Sequence, residues 1–284
     1  MQAKRPDRLS ALIRQFRIKA VVHAPGDAVA PGLTDHHPPP NLFIAQRDGA
    51  GHSDQSHEAT TEPGPKLAFF PRGAPPEMQA RLAAPDAGYL RATVDMGGDE
   101  NPIALALPPV VEVRLDEAAS LVSVTDLLLE EALSPRCGGR AVIDRLCEVV
   151  VIRLLRHAIE AGQTRPGLLA GLAHPNLCLA IVAVHDNPEK NWRLEDLSEI
   201  AGMSRTHFAN SFRDVVGVPP GEYLSGWRLT LAHTEIAKGT PLKVVAGKVG
   251  FSGSAALSRA FSRRYGFSPR EGYSRSRLES GPLN

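Results

Sequence analysis

Arg205, Thr206, Ala209, Asn210 and Arg213 share one short stretch, and Ser254, Ala255, Ser258, Arg259, Ser262 and Arg263 share another about fifty residues further on. Guanidinium and carboxamide groups pair in bidentate fashion with the edges of guanine and adenine, and hydroxyls bond to several base edges. Alanine offers only apolar contact, for example to a thymine methyl. Small and polar side chains of this kind can enter a DNA major groove, and Arg264, next to the second group, suits a backbone phosphate.

Both stretches sit in one repeated pattern. Phe208 and Phe212 are four apart, with Gly217 and Pro220 five and eight residues after Phe212; Leu257, Phe261, Gly266 and Pro269 repeat that spacing. Gly202 and Gly250 lead the two copies, with one extra residue in the second turn. Residues i and i+4 share a helix face, so the Phe and Leu pairs are expected to point into a core and leave the polar groups outward. Each copy reads as helix, glycine turn, helix. Taken singly, either helix could be the solvated face of an ordinary bundle. Two copies joined by a rigid helix over 219–239 could instead enter successive major grooves, about 34 Å apart.

Charge supports that reading. The whole chain of 284 residues has a formal net charge of +1, but the sum hides an asymmetry. Residues 86–136 hold ten acids against three arginines, a net −7, and residues 239–277 hold eight bases against Glu271, a net +7. A basic segment on a double helix-turn-helix is the electrostatic footprint of phosphate contact.

The supporting elements follow from periodicity. Leu9, Leu12, Ile13 and Phe16 predict a short helix over 7–17. The Pro- and Gly-rich region 18–114 holds short apolar runs at 41–46, 66–71, 89–94 and 103–108, bounded by turn residues, which predict a β-sandwich or small barrel. Helices are expected over 120–133 and 140–161, the latter with an apolar side of Val142, Leu146, Val149, Val150, Ile152 and Leu155. Residues 162–175 read as a linker. Helices then follow at 176–186, 194–201, 205–215, 220–237, 241–249, 255–265 and 269–275, with Ser204 and the Ser252–Ser254 turn as candidate caps. The fold class is thus α+β in two domains, a β-rich N-terminal half with flanking helices and an all-α C-terminal half.

Residues 176–277 resemble the DNA-binding domain of AraC/XylS-type bacterial transcriptional regulators. The resemblance is carried by "LEDLSEIAGMSRTHFANSFRDVVGVPPGEYLSGWRL" and "VVAGKVGFSGSAALSRAFSRRYGFSP". It implies base contacts from Thr206, Ala209 and Asn210, and from Ser254, Ala255, Ser258 and Arg259. "PREGYSR" departs from the family's usual Tyr-Arg after the Pro, which bears on the packing of Tyr273. Residues 1–161 resemble the cupin-type sensor domain of a subgroup of that family, through "GPKLAFFPRGAPPEMQ", "ALALPPVVEV" and "LCEVVVIRLLRHAIEAG". The domains expected are therefore a cupin-like sensor with dimerisation helices at 1–161, a linker at 162–175, a DNA-binding domain at 176–277 and a tail at 278–284.

The function this implies is a sequence-specific regulator that binds double-stranded DNA, with an unidentified small-molecule effector or partner at the N-terminal half. A homodimer through the helices 120–133 and 140–161 is expected, although both helices could simply cover the barrel. RNA polymerase is a further partner if the outcome is activation. Two alternatives stay open. One is a metal-dependent cupin enzyme, for which His36, His52 or His57 would supply ligands; but His23, His36, His37, His52 and His57 show no HxH with a following Glu at strand spacing, so no metal, cofactor or catalytic residue is assigned. The other is a protein-binding scaffold. Cys137, Cys147 and Cys178 form no CxxC pair, so a disulfide framework is not indicated; Cys137 and Cys147 could still form a redox switch. With no signal-like N-terminus and no run of about eighteen apolar residues, a cytoplasmic protein without membrane contact is expected.

Overall fold

The computed structural model describes residues 7–15, 18–23, 39–45, 67–82, 89–96, 101–134, 136–162 and 165–279. The expectations resting on Phe16, His36, His37, His52 and His57 lie outside the described residues. The chain divides into two compact units, one of Arg17–Arg165 and one that joins Met1–Phe16 to Pro166–Asn284.

The N-terminal helix α1 (Ser10–Gln15) starts where Asp7 accepts a hydrogen bond from the Ser10 amide at 3.0 Å. Leu12 and, just before the helix, Leu9 are buried, and the Arg8 guanidinium donates to the Leu172 carbonyl at 2.9 Å. By these contacts α1 packs within the unit that holds Pro166–Asn284.

The second unit is built on a five-stranded antiparallel sheet of β1 (Lys19–His23), β2 (Leu42–Ala45), β3 (Leu67–Phe69), β4 (Tyr89–Asp95) and β5 (Val111–Val113), in the order β1-β4-β2-β3-β5. The runs expected at 41–46, 66–71 and 89–94 form its three central strands. Phe43 and Ala68 face a cluster with Phe70, Ala74 and Leu82, the last from helix α2 (Pro76–Leu82). Leu42, Ile44, Leu67, Phe69 and Leu90 are buried from the alternate positions, so the sheet is apolar on both faces.

The run at 103–108 is not a strand. It forms helix α3 (Pro102–Ala106), because Asn101 accepts from the Ile103 amide at 2.8 Å and Pro102 supplies a φ suited to a first helical residue. Helices α4 (Ala119–Leu133) and α5 (Gly139–Glu160) pack on each other, and α5 lies along β1. The buried side of α5 is Cys147, Val150, Val151, Leu154, Leu155 and Ala158; Val142 and Val149, expected inside, are 43% and 39% exposed. Cys137 is exposed and Cys147 buried. Burial, joined by Asp144 and Glu148, pushes the Cys147 thiol up to about 12, which disfavours the thiolate a redox exchange needs.

The expected linker contains helix α6 (Leu168–Ala173), whose Leu168, Leu169 and Leu172 are buried in the helical unit. There follow α7 (Leu177–Asp186), α8 (Leu194–Ile200), α9 (Arg205–Val216), α10 (Pro220–Ala237), α11 (Leu242–Lys248), α12 (Ser254–Tyr265) and α13 (Pro269–Glu279). No helix among the described residues is long and apolar enough to cross a membrane.

Candidate nucleic-acid interface

Each copy of the repeat folds as two helices meeting through a turn, α8 with α9 and α11 with α12, and α10 packs against both second helices. Phe208 and Phe212 anchor α9, and Leu257 and Phe261 anchor α12, all four buried as the four-residue spacing requires. The Phe208 and Phe212 rings lie tilted, 5.5 Å apart, and Phe212 meets Tyr223 of α10 edge-on at 5.4 Å. In the second copy Phe261 packs at 4.6 Å from Tyr265 and 5.8 Å from Phe267. Both second helices end on a left-handed residue, Gly217 with φ 87° and Gly266 with φ 75°. A side chain would be strained at those angles, which accounts for the glycine in each copy.

Ser204 caps α9 by accepting from the His207 amide. Its expected counterpart in the Ser252–Ser254 turn is absent: α12 begins at Ser254 behind Gly253, without a side-chain cap. Glu271 and Ser268 instead exchange hydrogen bonds at the start of α13, at 2.6 and 3.3 Å.

With the anchors inside, Thr206, Asn210 and Arg213 are exposed on α9, as are Ala255, Arg259 and Arg263 on α12. Ala209, Ser254 and Ser258 are half-buried at the flanks, as is Ser262. Arg205 and Arg264 are also exposed and make contacts with neighbouring helices. Arg205 turns toward α8, where its Nη1 donates to Glu195 Oε1 at 2.8 Å; that hydrogen bond holds the Glu195 carboxyl below the usual carboxylate range. Arg264 lies on the anchor side of α12, its guanidinium 5.6 Å from the Tyr265 ring and alongside Gly226 of α10. Two further exposed residues belong to the face of α9, His207 and Asp214. The signal for them was present, since His207 lies three residues before Asn210 and Asp214 four after it, neighbouring positions on a helix. Asp214 stands in α9 where Arg263 stands in α12, six residues beyond the first anchor in each, so the second face is the more positive of the pair.

Glu235, on α10, ties the second copy together. It receives Lys238 Nζ and Lys248 Nζ, each at 2.8 Å, which hold its carboxyl down to about 2. Lys248 is the last residue of α11, so the pair fixes α11 to α10. Tyr273, in the departure from the family pattern, is 38% exposed, with its ring edge over Gly239. Of the five N-terminal histidines only His23 is described; its Nε2 lies 2.7 Å from Thr93 Oγ1. Among the described residues no three His, Cys, Asp or Glu side chains converge as a metal site would require.

Both parts of the chain have relatives among known proteins. A family model described as a helix-turn-helix domain matches residues 197–274, and one described as a cupin matches residues 7–160, thereby including α1. An AraC-like transcription regulator of Streptomyces lividans is 34% identical over 167 residues, covering 57% of this chain and 55% of that protein. The transcriptional regulator AlkR of Acinetobacter baylyi is 36% identical over 135 residues, covering 47% of this chain and 44% of its own. RclR of Escherichia coli, an activator, is 33% identical over 145 residues, covering 51% of each chain. The chain spans about half the length of the curated relatives it matches.

Proposed function

Because the chain belongs to the cupin family through residues 7–160 and joins that domain to an AraC-type helix-turn-helix domain, we propose that it is a sequence-specific DNA-binding transcriptional regulator. The observation that carries this reading is the pair α9 and α12, each with two apolar anchors buried and a small, polar, arginine-bearing face outward. Thr206, Ala209 and Asn210 on α9, with Ala255, Ser258 and Arg259 on α12, read base edges. Arg213 and Arg263 take phosphates, and Ser254 sits at the rim of the second face. Arg205 reaches DNA only by leaving Glu195, and Arg264 acts through the seating of α12 on α10.

The cupin unit receives the input, a small molecule or a partner. The chain works as a homodimer through α4 and α5, whose Leu127, Leu133, Val142 and Val149 present apolar side chains to solvent. It is a cytoplasmic protein without enzymatic activity, and an activating role would bring RNA polymerase to it. Selection of bound fragments from random duplex DNA tests the reading. A two-part motif whose binding falls steeply between low and moderate salt is the expected result. Recovery of no motif, or salt-insensitive binding, would overturn it.

A further inference from the structure

The two helix-turn-helix halves meet at Arg228, near the middle of α10. Its Nε donates to the Pro188 carbonyl at 2.7 Å and its Nη2 to the Lys190 carbonyl at 2.8 Å. Both acceptors lie in the segment that leads from α7 into α8, at the entrance of the first half. That segment is itself braced, because Trp192 Nε1 donates to the Asn187 carbonyl at 2.9 Å and Lys190 Nζ sits 4.0 Å from the Trp192 ring.

The other side of the same guanidinium meets the second half. Gly250, in the turn between α11 and α12, has φ 76°, and a Cβ built there would stand 2.7 Å from Arg228 Nη2 and 2.8 Å from the Glu189 carbonyl oxygen. The backbone of the first half's entrance thus lies directly against the backbone of the second half's turn, with Arg228 filling the seam. The position excludes a side chain twice over, through its left-handed backbone and through lack of space. Burial pulls the Arg228 pKa down while Glu189 pushes it up, and the guanidinium remains a cation whose fork-shaped donors suit two carbonyls at once.

We propose that Arg228 is a positioning residue that sets the separation and phase of the two reader helices, and with them the spacing between the two DNA sub-sites the protein selects. The proposal rests on the DNA-reading function above. The helix α10 alone fixes how far apart the halves are attached, but a half hinged only at one helix end can still rotate. A second tie, from α10 to the entrance of one half and against the turn of the other, removes that rotation. Spacing is a sensitive report of it: each added base pair moves a sub-site by about 3.4 Å and turns it by about a tenth of a helical turn.

The test uses the full chain, wild type against Arg228→Lys and Arg228→Gln. Motifs selected from random DNA are rebuilt with the gap lengthened or shortened by one base pair, and the affinity ratio between gaps is measured. The expected result is that Arg228→Lys retains both sub-motifs while the preference for the best gap over its neighbours drops about tenfold, equivalent to about 1.4 kcal/mol. A uniform loss of affinity with the gap preference intact would overturn the proposal, since that is what a merely stabilising arginine produces.

A second measurement needs no DNA. Spin labels at Asn210→Cys and Arg259→Cys, in a Cys137→Ser background, report the distance between the two reader helices. The arginine variants should broaden or shift that distribution, and an unchanged distribution in folded variants overturns the clamp. If wild-type protein selects no motif, the DNA-reading function fails while the label distances still decide the role of Arg228.

Discussion

Asn210 and Arg259 occupy the same place in their two helices, each two residues beyond the first buried anchor, Phe208 in α9 and Leu257 in α12. Thr206 matches Ala255, and Ala209 matches Ser258, in the same frame. The two faces therefore share geometry and differ in chemistry, a carboxamide at the centre of one and a guanidinium at the centre of the other.

That difference separates their mutational effects. Replacing Arg259 by Ala should cost about 1–3 kcal/mol at the preferred sequence and relax base choice in one sub-site, and Asn210→Ala should do so in the other. Arg263→Ala should weaken all sequences alike and reduce the salt slope by about 1. Competition binding with single-base variants distinguishes these patterns; equal losses on selected and random DNA for all three would refute the assignment.

Glu195 competes with DNA for Arg205. The pair is exposed, so its removal should leave thermal stability nearly unchanged, because solvent screens such pairs. Glu195→Gln is expected to raise affinity for random duplexes and to steepen the salt dependence by about 1, as one more cation becomes available to phosphate. A salt titration showing the wild-type slope would mean that Arg205 stays out of reach of the backbone.

The anchors should act on stability rather than on contacts. Phe208→Ala and Phe261→Ala each remove a fully buried ring and are expected to destabilise by about 3–5 kcal/mol. Denaturant unfolding followed by helical circular dichroism provides the measurement. A loss below about 1 kcal/mol would contradict the packing described for α9 or α12.

His185 predicts a pH dependence. It is buried between Tyr223, whose hydroxyl is 2.7 Å from Nε2, and Trp227, whose ring is 3.9 Å away, and burial pulls its pKa down to about 3 from 6.5. Above pH 6.5 the imidazole is neutral folded or unfolded, so its contribution is constant. Below that, the unfolded chain takes up the proton first, and stability falls as the pH drops toward about 3. By pH 5 the part due to His185 is about 2 kcal/mol. His185→Phe should flatten this part of the profile; identical profiles for the two proteins between pH 7 and pH 5 would show that the proton goes elsewhere.

The helical half was legible because punctuation and period agree there. Pro219 before α10, Pro220 at its first position and Lys238-Gly239 after it mark bounds that the structure reproduces, and the anchors follow from their own spacing. The β-rich half was legible only in part. The short apolar run at 103–108 suits a strand, yet Asn101 and Pro102 just before it form a helix start, and local capping prevailed over pattern. Val142 and Val149 obey helical spacing, but which stripe of α5 faces the sheet depends on where β1 and α4 lie, which periodicity does not contain. The contacts of Arg205 and Arg264 were illegible for a related reason. Their neighbours, Glu195 and Gly226, come from other helices, so only the tertiary arrangement shows these contacts.

The docking of α1 onto the helical unit bears on how the protein is made. Arg8 and its acceptor, the Leu172 carbonyl, are 164 residues apart, with the whole sheet encoded between them. At about 5–20 residues per second of synthesis, Leu9 and Leu12 wait some ten to thirty seconds on the ribosome before their seat exists. The β-rich unit thus has the opportunity to fold while that greasy segment is still unclaimed, and a fragment beginning at residue 166 would leave the seat permanently vacant.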